Sequence, residues 1–326
     1  MTVRFAVVGC GNAARRIHLP ALRAEGADVT VFASRSRASA EATRDAWAAG
    51  SVVDRWQDAV VRDDVDAVLV ATPNAFHRDV AVAAAAAGKH VLVDKPMANT
   101  TADADEMIAA AAANGVVLVP FQNTRFAAPF VAAQHFVGSG RLGTVTGFRA
   151  AFGHGGPEGW APQGEWFLDR DQSGGGSLID LGVHVIDLVR AVTGDDIAAV
   201  SALLNGHRGN VEADAQLLAR LRSGAIGSIH ASWSSRAGSD NQLTVIGTEG
   251  TLHLDSRTPL TYIDVQGTRE RLALPDTTSS PLAELLAAIA GTRSPSVTAA
   301  DGRAAVAVVE AAYHSAAHGS VLTDVV

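Results

Sequence analysis

A chain of 326 residues exceeds the ~250 to 300 residues that one hydrophobic core ordinarily organises, so two domains are expected. With 48% apolar and 18% charged residues, its composition is that of a folded globular protein and excludes a disordered one. The formal net charge of −8 comes with no dense Lys/Arg cluster, which excludes the electrostatic footprint of nucleic-acid or anionic-membrane binding. The single cysteine, Cys10, excludes an internal disulfide framework and a cysteine-rich metal site, and suits the reducing cytoplasm.

The apolar run Phe5-Ala6-Val7-Val8 is too short for a signal peptide or a membrane span and has the length of a buried strand. Further strands are predicted at Asp28 to Phe32, Ala67 to Ala71, His90 to Val93 and Val116 to Pro120. Helical stretches lie between them, the Ala-rich segments 81–87 and 109–113 included, since Ala is the best helix former. Runs apolar on both faces and alternating with helices predict a parallel α/β sheet ending near Pro120, with Gly88 and Gly115 as helix caps. Beyond it, a helix from Pro129 to Val137 and a strand from Val145 to Phe152 precede a Gly-rich stretch and a helix from Ser177 to Val192. Runs with period-two alternation follow at 200–207, 215–221, 226–233, 243–247, 251–254 and 262–265, predicting a large, mostly antiparallel open sheet. Helices over 282–290 and 300–317 close the chain. The division is thus 1–120 and 121–326, with the closing helices packing back toward the first domain.

The first strand runs directly into Gly9-Cys10-Gly11-Asn12-Ala13-Ala14, a G-x-G-x-x-A pattern at the start of a helix. There Gly9 permits a tight turn, Gly11 lets a pyrophosphate approach the backbone, and the helix N-terminus faces the phosphates. In that context the turn reads as a dinucleotide-binding Rossmann turn, and without a ligand it would be a tight turn only. The second strand lacks the acidic residue that usually holds the ribose hydroxyls of NAD. Ser34, Arg35 and Arg37 stand there instead, which favours NADP over NAD, unless the loop is merely a solvated basic one. Thr72, Pro73 and Asn74, with His77, follow the third predicted strand, where strand ends line the ligand crevice of open α/β sheets. They read as a cofactor wall, a helix-capping turn, or both.

Asp94-Lys95-Pro96 ends the fourth predicted strand, placing an ammonium where a substrate oxygen would lie, or leaving a surface Lys paired with Asp94. Asn123 completes the cofactor set. After Gly174-Gly175-Gly176 the helix carries Asp180 and His184 at i, i+4, with Asp187 a turn further on. This spacing suits a general acid/base whose imidazole is oriented by a carboxylate. Two ligands without a third argue against a metal, so no metal is expected. A purely structural pair is the alternative.

Together the motifs resemble the Gfo/Idh/MocA family, the glucose-fructose oxidoreductase and inositol dehydrogenase group. The resemblance implies a nicotinamide held between the domains and hydride transfer to or from a hydroxyl or carbonyl carbon of a sugar, inositol or related polyol. His184 would be the base, Asp180 its orienting partner and Lys95 the stabiliser of charge on oxygen, while Trp160 and Trp166 would line the substrate site or else form interface core. It also implies a homodimer or homotetramer formed through the open sheet. Some relatives couple the same redox chemistry to glycoside hydrolysis, and a non-catalytic NAD(P)-binding regulator is a third reading. Two positions depart from the family pattern: Asp94 replaces the usual Glu of Glu-Lys-Pro, and Phe167 replaces an Arg after Trp166.

Overall fold

The structure, a computed structural model, describes residues 2–159, 161, 164–235, 240–255, 258–276 and 279–326. It contains two compact units. One comprises Met1–Gln122, Asp171–Gly174 and Ser279–Arg303, and the other Asn123–Arg170, Gly175–Thr278 and Ala304–Val326. The first stretch ends two residues past the boundary at 120, while segments 171–174 and 279–303 group with it from far along the chain.

The first unit is a six-stranded parallel sheet in the order β3-β2-β1-β4-β5-β6. Its strands are β1 (Arg4–Val8), β2 (Asp28–Ala33), β3 (Ser51–Val53), β4 (Ala67–Val70), β5 (His90–Val93) and β6 (Leu118–Pro120). Alternate residues feed two separate cores. Ala6, Val8, Val68, Val70, Val91 and Val93 pack in one, and Phe5, Val7, Leu69 and Leu92 in the other. That is the consequence of runs apolar on both faces, since each face must be covered by helices. The helix Thr101–Ala113 starts where the Thr100 hydroxyl accepts from the Asp103 amide, and Gly88 and Gly115 take the left-handed φ of +75° and +63° past two helix ends. Pro281–Ile289 adds Leu282 and Leu285 to the second of these cores.

The second unit is a nine-stranded sheet formed by β7 (Val145–Gly153), β8 (Ile197–Arg208), β9 (Val211–Leu221), β10 (Ile226–Ser232), β11 (Asp240–Gly247), β12 (Gly250–Asp255), β13 (Thr258–Asp264), β14 (Arg269–Arg271) and β15 (Thr323–Asp324). The order is β14-β13-β12-β11-β7-β10-β9-β8-β15, antiparallel throughout except for the β7–β10 pair. One face packs Phe148, Leu217, Ile229, Leu243 and Val245 against Ile186 and Val189 of the helix Val183–Thr193. On the other face Leu203, Leu218 and Ile226 are each about two-thirds exposed. Leu218 pairs with Ser201 and Ser228, while Leu203 and Ile226 sit two residues along from those partners, so the three form a diagonal across β8, β9 and β10.

The helix expected as one piece from Ser177 is two: a π-turn, Leu178–Gly182, leads into the α-helix Val183–Thr193. A second π-turn, Ala14–His18, follows the glycine turn after β1. No described helix is long and apolar enough to cross a membrane.

Candidate active site

In the first unit the chain leaves β1 through Gly9, whose φ is +99°. A Cβ there would lie 2.3 Å from the Ala71 carbonyl oxygen, so only glycine fits. At Gly11 the same Cβ would meet nothing within 4 Å. Open space at a helix start, lined by backbone amides, is what a pyrophosphate needs. Cys10 turns inward, 1% exposed, its thiol reaching the Ala33 carbonyl. Burial pushes that thiol up to about 12, so it stays protonated and leaves the Cys10 backbone as the part available to a ligand, while the neighbouring Asn12 and Ala13 are half-buried.

At the end of β2, Ser34 is half-buried and Arg35 exposed, with no ion pair to Arg35 among the described residues. Arg37 differs from the expectation for a phosphate contact: its guanidinium is held by Glu41 at 2.9 Å and Asp54 at 2.5 Å. Ser36 caps the following helix.

Past β4, Thr72, Pro73 and Asn74 form the predicted turn. The Thr72 hydroxyl is buried without a hydrogen-bond partner, whereas the Asn74 amide donates to the Ser173 carbonyl at 2.7 Å. His77 is fully buried, its ring nitrogens 2.8 Å from the Pro96 carbonyl oxygen and 3.0 Å from that of Thr72. It braces two site loops, and burial pulls its pKa down against the opposing pull of Asp94 and the carbonyls. At the end of β5, Asp94 accepts from the Lys95 amide at 2.8 Å and lies 3.1 Å from His18 Nε2. Burial opposes its charge, but His18, Lys95 and His77 hold the carboxyl well below the usual range. Gln122, just past β6, is 1% exposed with both amide atoms unpartnered.

The second unit holds the acid/base candidates. Asp180 sits within the π-turn, 4% exposed, its Oδ2 accepting from Trp233 Nε1 at 3.0 Å and lying 3.9 Å from His154 Nε2. His184 opens the α-helical part, its Nδ1 3.2 Å from Thr124 Oγ1 and its ring 5.8 Å from that of Phe152. Asp187 is bound through both oxygens by Arg125 at 2.6 Å and is 1% exposed. Asn123 is exposed in the 3-10 turn Asn123–Phe126. Trp166 stacks on the buried Phe167 at 3.8 Å and packs against the core; Trp160 lies outside the described residues.

The helix start itself is clasped. Glu212, 5% exposed, accepts from the amides of Gly176 (3.1 Å) and Leu178 (2.9 Å) and from the Tyr313 hydroxyl (3.0 Å). A Cβ on Gly175 would fall 1.9 Å from the Tyr313 oxygen, and one on Gly176 1.8 Å from the Glu212 carbonyl oxygen. The Gly run is therefore dictated by close approach. No group of three or more metal-binding side chains occurs among the described residues.

Sequence reasoning missed His18 and Gln122 in the first unit and Thr124, Trp233 and Glu212 in the second; all but Gln122 are placed by contacts distant in sequence. Only the burial-prone Trp233 and the helix-flanking Thr124 had any local signal.

Residues 3–121 match the oxidoreductase family with an NAD-binding Rossmann fold, and residues 130–253 match the GFO/IDH/MocA C-terminal domain. The chain belongs to the Gfo/Idh/MocA oxidoreductase family. It is 33% identical to the 1,5-anhydro-D-fructose reductase of Ensifer adhaerens, over 97% of each chain. GenD2 from gentamicin A biosynthesis, solved in complex with NAD, superposes with a TM-score of 0.86 at 31% identity, covering 99% of this chain and 96% of that one. An aldose-aldose oxidoreductase from Caulobacter crescentus, complexed with glycerol, gives 0.86 at 28% identity over 99% and 100%.

As a Gfo/Idh/MocA protein the chain is an oxidoreductase with an NAD(P)-binding Rossmann domain, from a family acting on sugars and polyols. The residues present fit a dinucleotide: the room over Gly11 and the unpartnered buried atoms of Thr72 and Gln122 lie in the Rossmann unit itself. Both departures from the family pattern are accommodated, Asp94 by His18 and Phe167 by the core.

Proposed function

We propose that this protein is an NADP-preferring dehydrogenase or reductase of a sugar, inositol or related polyol. The observation carrying the reading is the Asp180–His184 helix, its carboxylate held by the buried Trp233 and its imidazole by the half-buried Thr124, in a chain whose other unit has the dinucleotide cradle. When bound, the nicotinamide supplies or takes the hydride. His184 accepts the hydroxyl proton in oxidation and returns it in reduction. Asp180 favours the imidazolium, and Lys95 stabilises negative charge developing on the substrate oxygen. The backbone of residues 9–13 would hold the pyrophosphate, Thr72, Pro73, Asn74, Asp94 and Asn123 would border the ribose and nicotinamide, and Trp166 would back the substrate.

The NADP preference rests on Ser34 and Arg35, because Arg37 is already neutralised by Glu41 and Asp54. Sugars and inositols are to be screened with both cofactors by absorbance of the reduced nicotinamide, which also separates net redox turnover from release of a hydrolysed sugar. NADP is expected to bind more tightly than NAD. Arg35→Ala should weaken NADP alone by about tenfold or more, the worth of one charge-assisted hydrogen bond. Tighter binding of NAD by the unaltered protein would end the NADP assignment.

We further infer that a second copy covers the exposed diagonal Leu203, Leu218 and Ile226, since contiguous apolar surface on a sheet face marks an interface. Sedimentation should report a dimer or tetramer, and Leu218→Lys should shift it toward monomer. A wild-type monomer at micromolar concentration would refute this.

A further inference from the structure

We propose that Thr124 is a positioning residue for His184: its hydroxyl holds Nδ1 of the imidazole, so that Nε2 is the nitrogen exchanging a proton with substrate. This deepens the reading of His184 as the acid/base group and rests on it. Thr124 Oγ1 lies 3.2 Å from Nδ1. If Nδ1–H donates to this oxygen, Nε2 carries the lone pair in the neutral ring, and the same hydrogen bond persists when Nε2 takes up the proton. A hydroxyl can play that part in both states because it accepts as well as donates and bears no charge of its own. The other nitrogen of a histidine commonly sets its tautomer in this way.

Thr124 is not left to a loose loop. The next residue, Arg125, grips both oxygens of Asp187 at 2.6 Å, and Asp187 lies at i+3 from His184 on the same helix. Neighbouring residues of the turn are thus tied to neighbouring positions on one helical face. The Phe152 ring, tilted 33° and 5.8 Å away, flanks the imidazole from β7. Thr is also β-branched and stiff at χ1, so its hydroxyl is placed with little rotamer freedom. Charged and titratable groups on this unit's site include, among the described residues, the Arg125–Asp187 pair, Asp180 and His154.

The test uses the full-length protein labelled with 15N histidine, the His184 signals being identified by their loss in His184→Ala. Ring 15N shifts should show neutral His184 protonated at Nδ1. Thr124→Val should give a tautomer mixture, and Thr124→Ser should restore the original pattern. With the fastest compound from the sugar and inositol panel, Thr124→Val should lower kcat about tenfold with KM little changed, Thr124→Ser should recover most of it, and thermal midpoints should stay level. A wild-type ring protonated at Nε2, or a Thr124→Val spectrum and kcat equal to wild type, would overturn the proposal. Undiminished turnover in His184→Ala would instead sink the acid/base reading itself, and the 15N result alone still decides what Thr124 does to the ring.

Discussion

His184→Ala is expected to lower the single-turnover rate of nicotinamide reduction by ~100 to 10,000-fold, the usual cost of deleting a positioned acid/base group. Its fold should survive. The imidazole is half-buried rather than part of the core, so truncation should shift the thermal midpoint only modestly. Cofactor affinity should be nearly unchanged, because the dinucleotide cradle belongs to the other unit. Lys95→Ala should behave alike in rate, since it removes the proposed cation on the substrate oxygen and leaves the Lys95 amide on Asp94. Asp180→Asn should keep more activity than His184→Ala, since an amide oxygen can still accept from Trp233 but cannot stabilise an imidazolium by charge. Near-normal hydride transfer in folded His184→Ala would remove His184 from the chemistry. Loss of folding in both alanine variants would make the two residues structural.

Glu212→Ala is the second large effect, and here stability is the readout. The substitution strands three donors in a buried place: the Gly176 and Leu178 amides and the Tyr313 hydroxyl. Each stranded donor costs ~1 to 3 kcal/mol, and a carboxylate that favours the positive end of a helix is lost as well. Discounted for non-additivity, the sum is roughly 3 to 6 kcal/mol, or about 10 °C or more in thermal midpoint. Glu212→Gln should fall in between, because it keeps an accepting oxygen but turns an NH2 toward a donor. Gly176→Ala should be at least as damaging as Glu212→Ala, since its Cβ would lie 1.8 Å from a backbone oxygen that cannot swing aside. A Glu212→Ala midpoint within a degree of the parent would show that the clasp contributes nothing.

The fold was legible where periodicity and burial coincide. The two-faced apolar runs of β1, β4 and β5 required helices on both sides, and the alternation in β8 to β12 required one covered face and one open one. Short elements were not legible. β3, β14 and β15 are two or three residues long, and β14 is exposed throughout, so tertiary pairing alone makes them strands. Among the candidate residues, the glycine turn, Lys95 and the Asp180–His184 helix stood out because the reading of each rests on spacing or on a strand end. Thr124, Trp233 and Glu212 did not, because their roles come from partners 34 to 60 residues away. Arg37 shows the converse, a charge noticed in the sequence whose ion pairs to Glu41, one helical turn on, and to the more distant Asp54 went unread.

The π-turn at 178–182 works as a slack turn in its helix. It holds one residue more than an α-turn would, so the extra residue is housed in the widening and the helix beyond keeps its phase. Deleting a single residue there should let the turn close to regular α-helix and leave His184 facing Thr124 and Asp187 facing Arg125. The same deletion within Val183–Thr193, which has no spare residue, would rotate everything after it by about 100°. Chain length can therefore change at the π-turn without re-aiming the side chains that follow it.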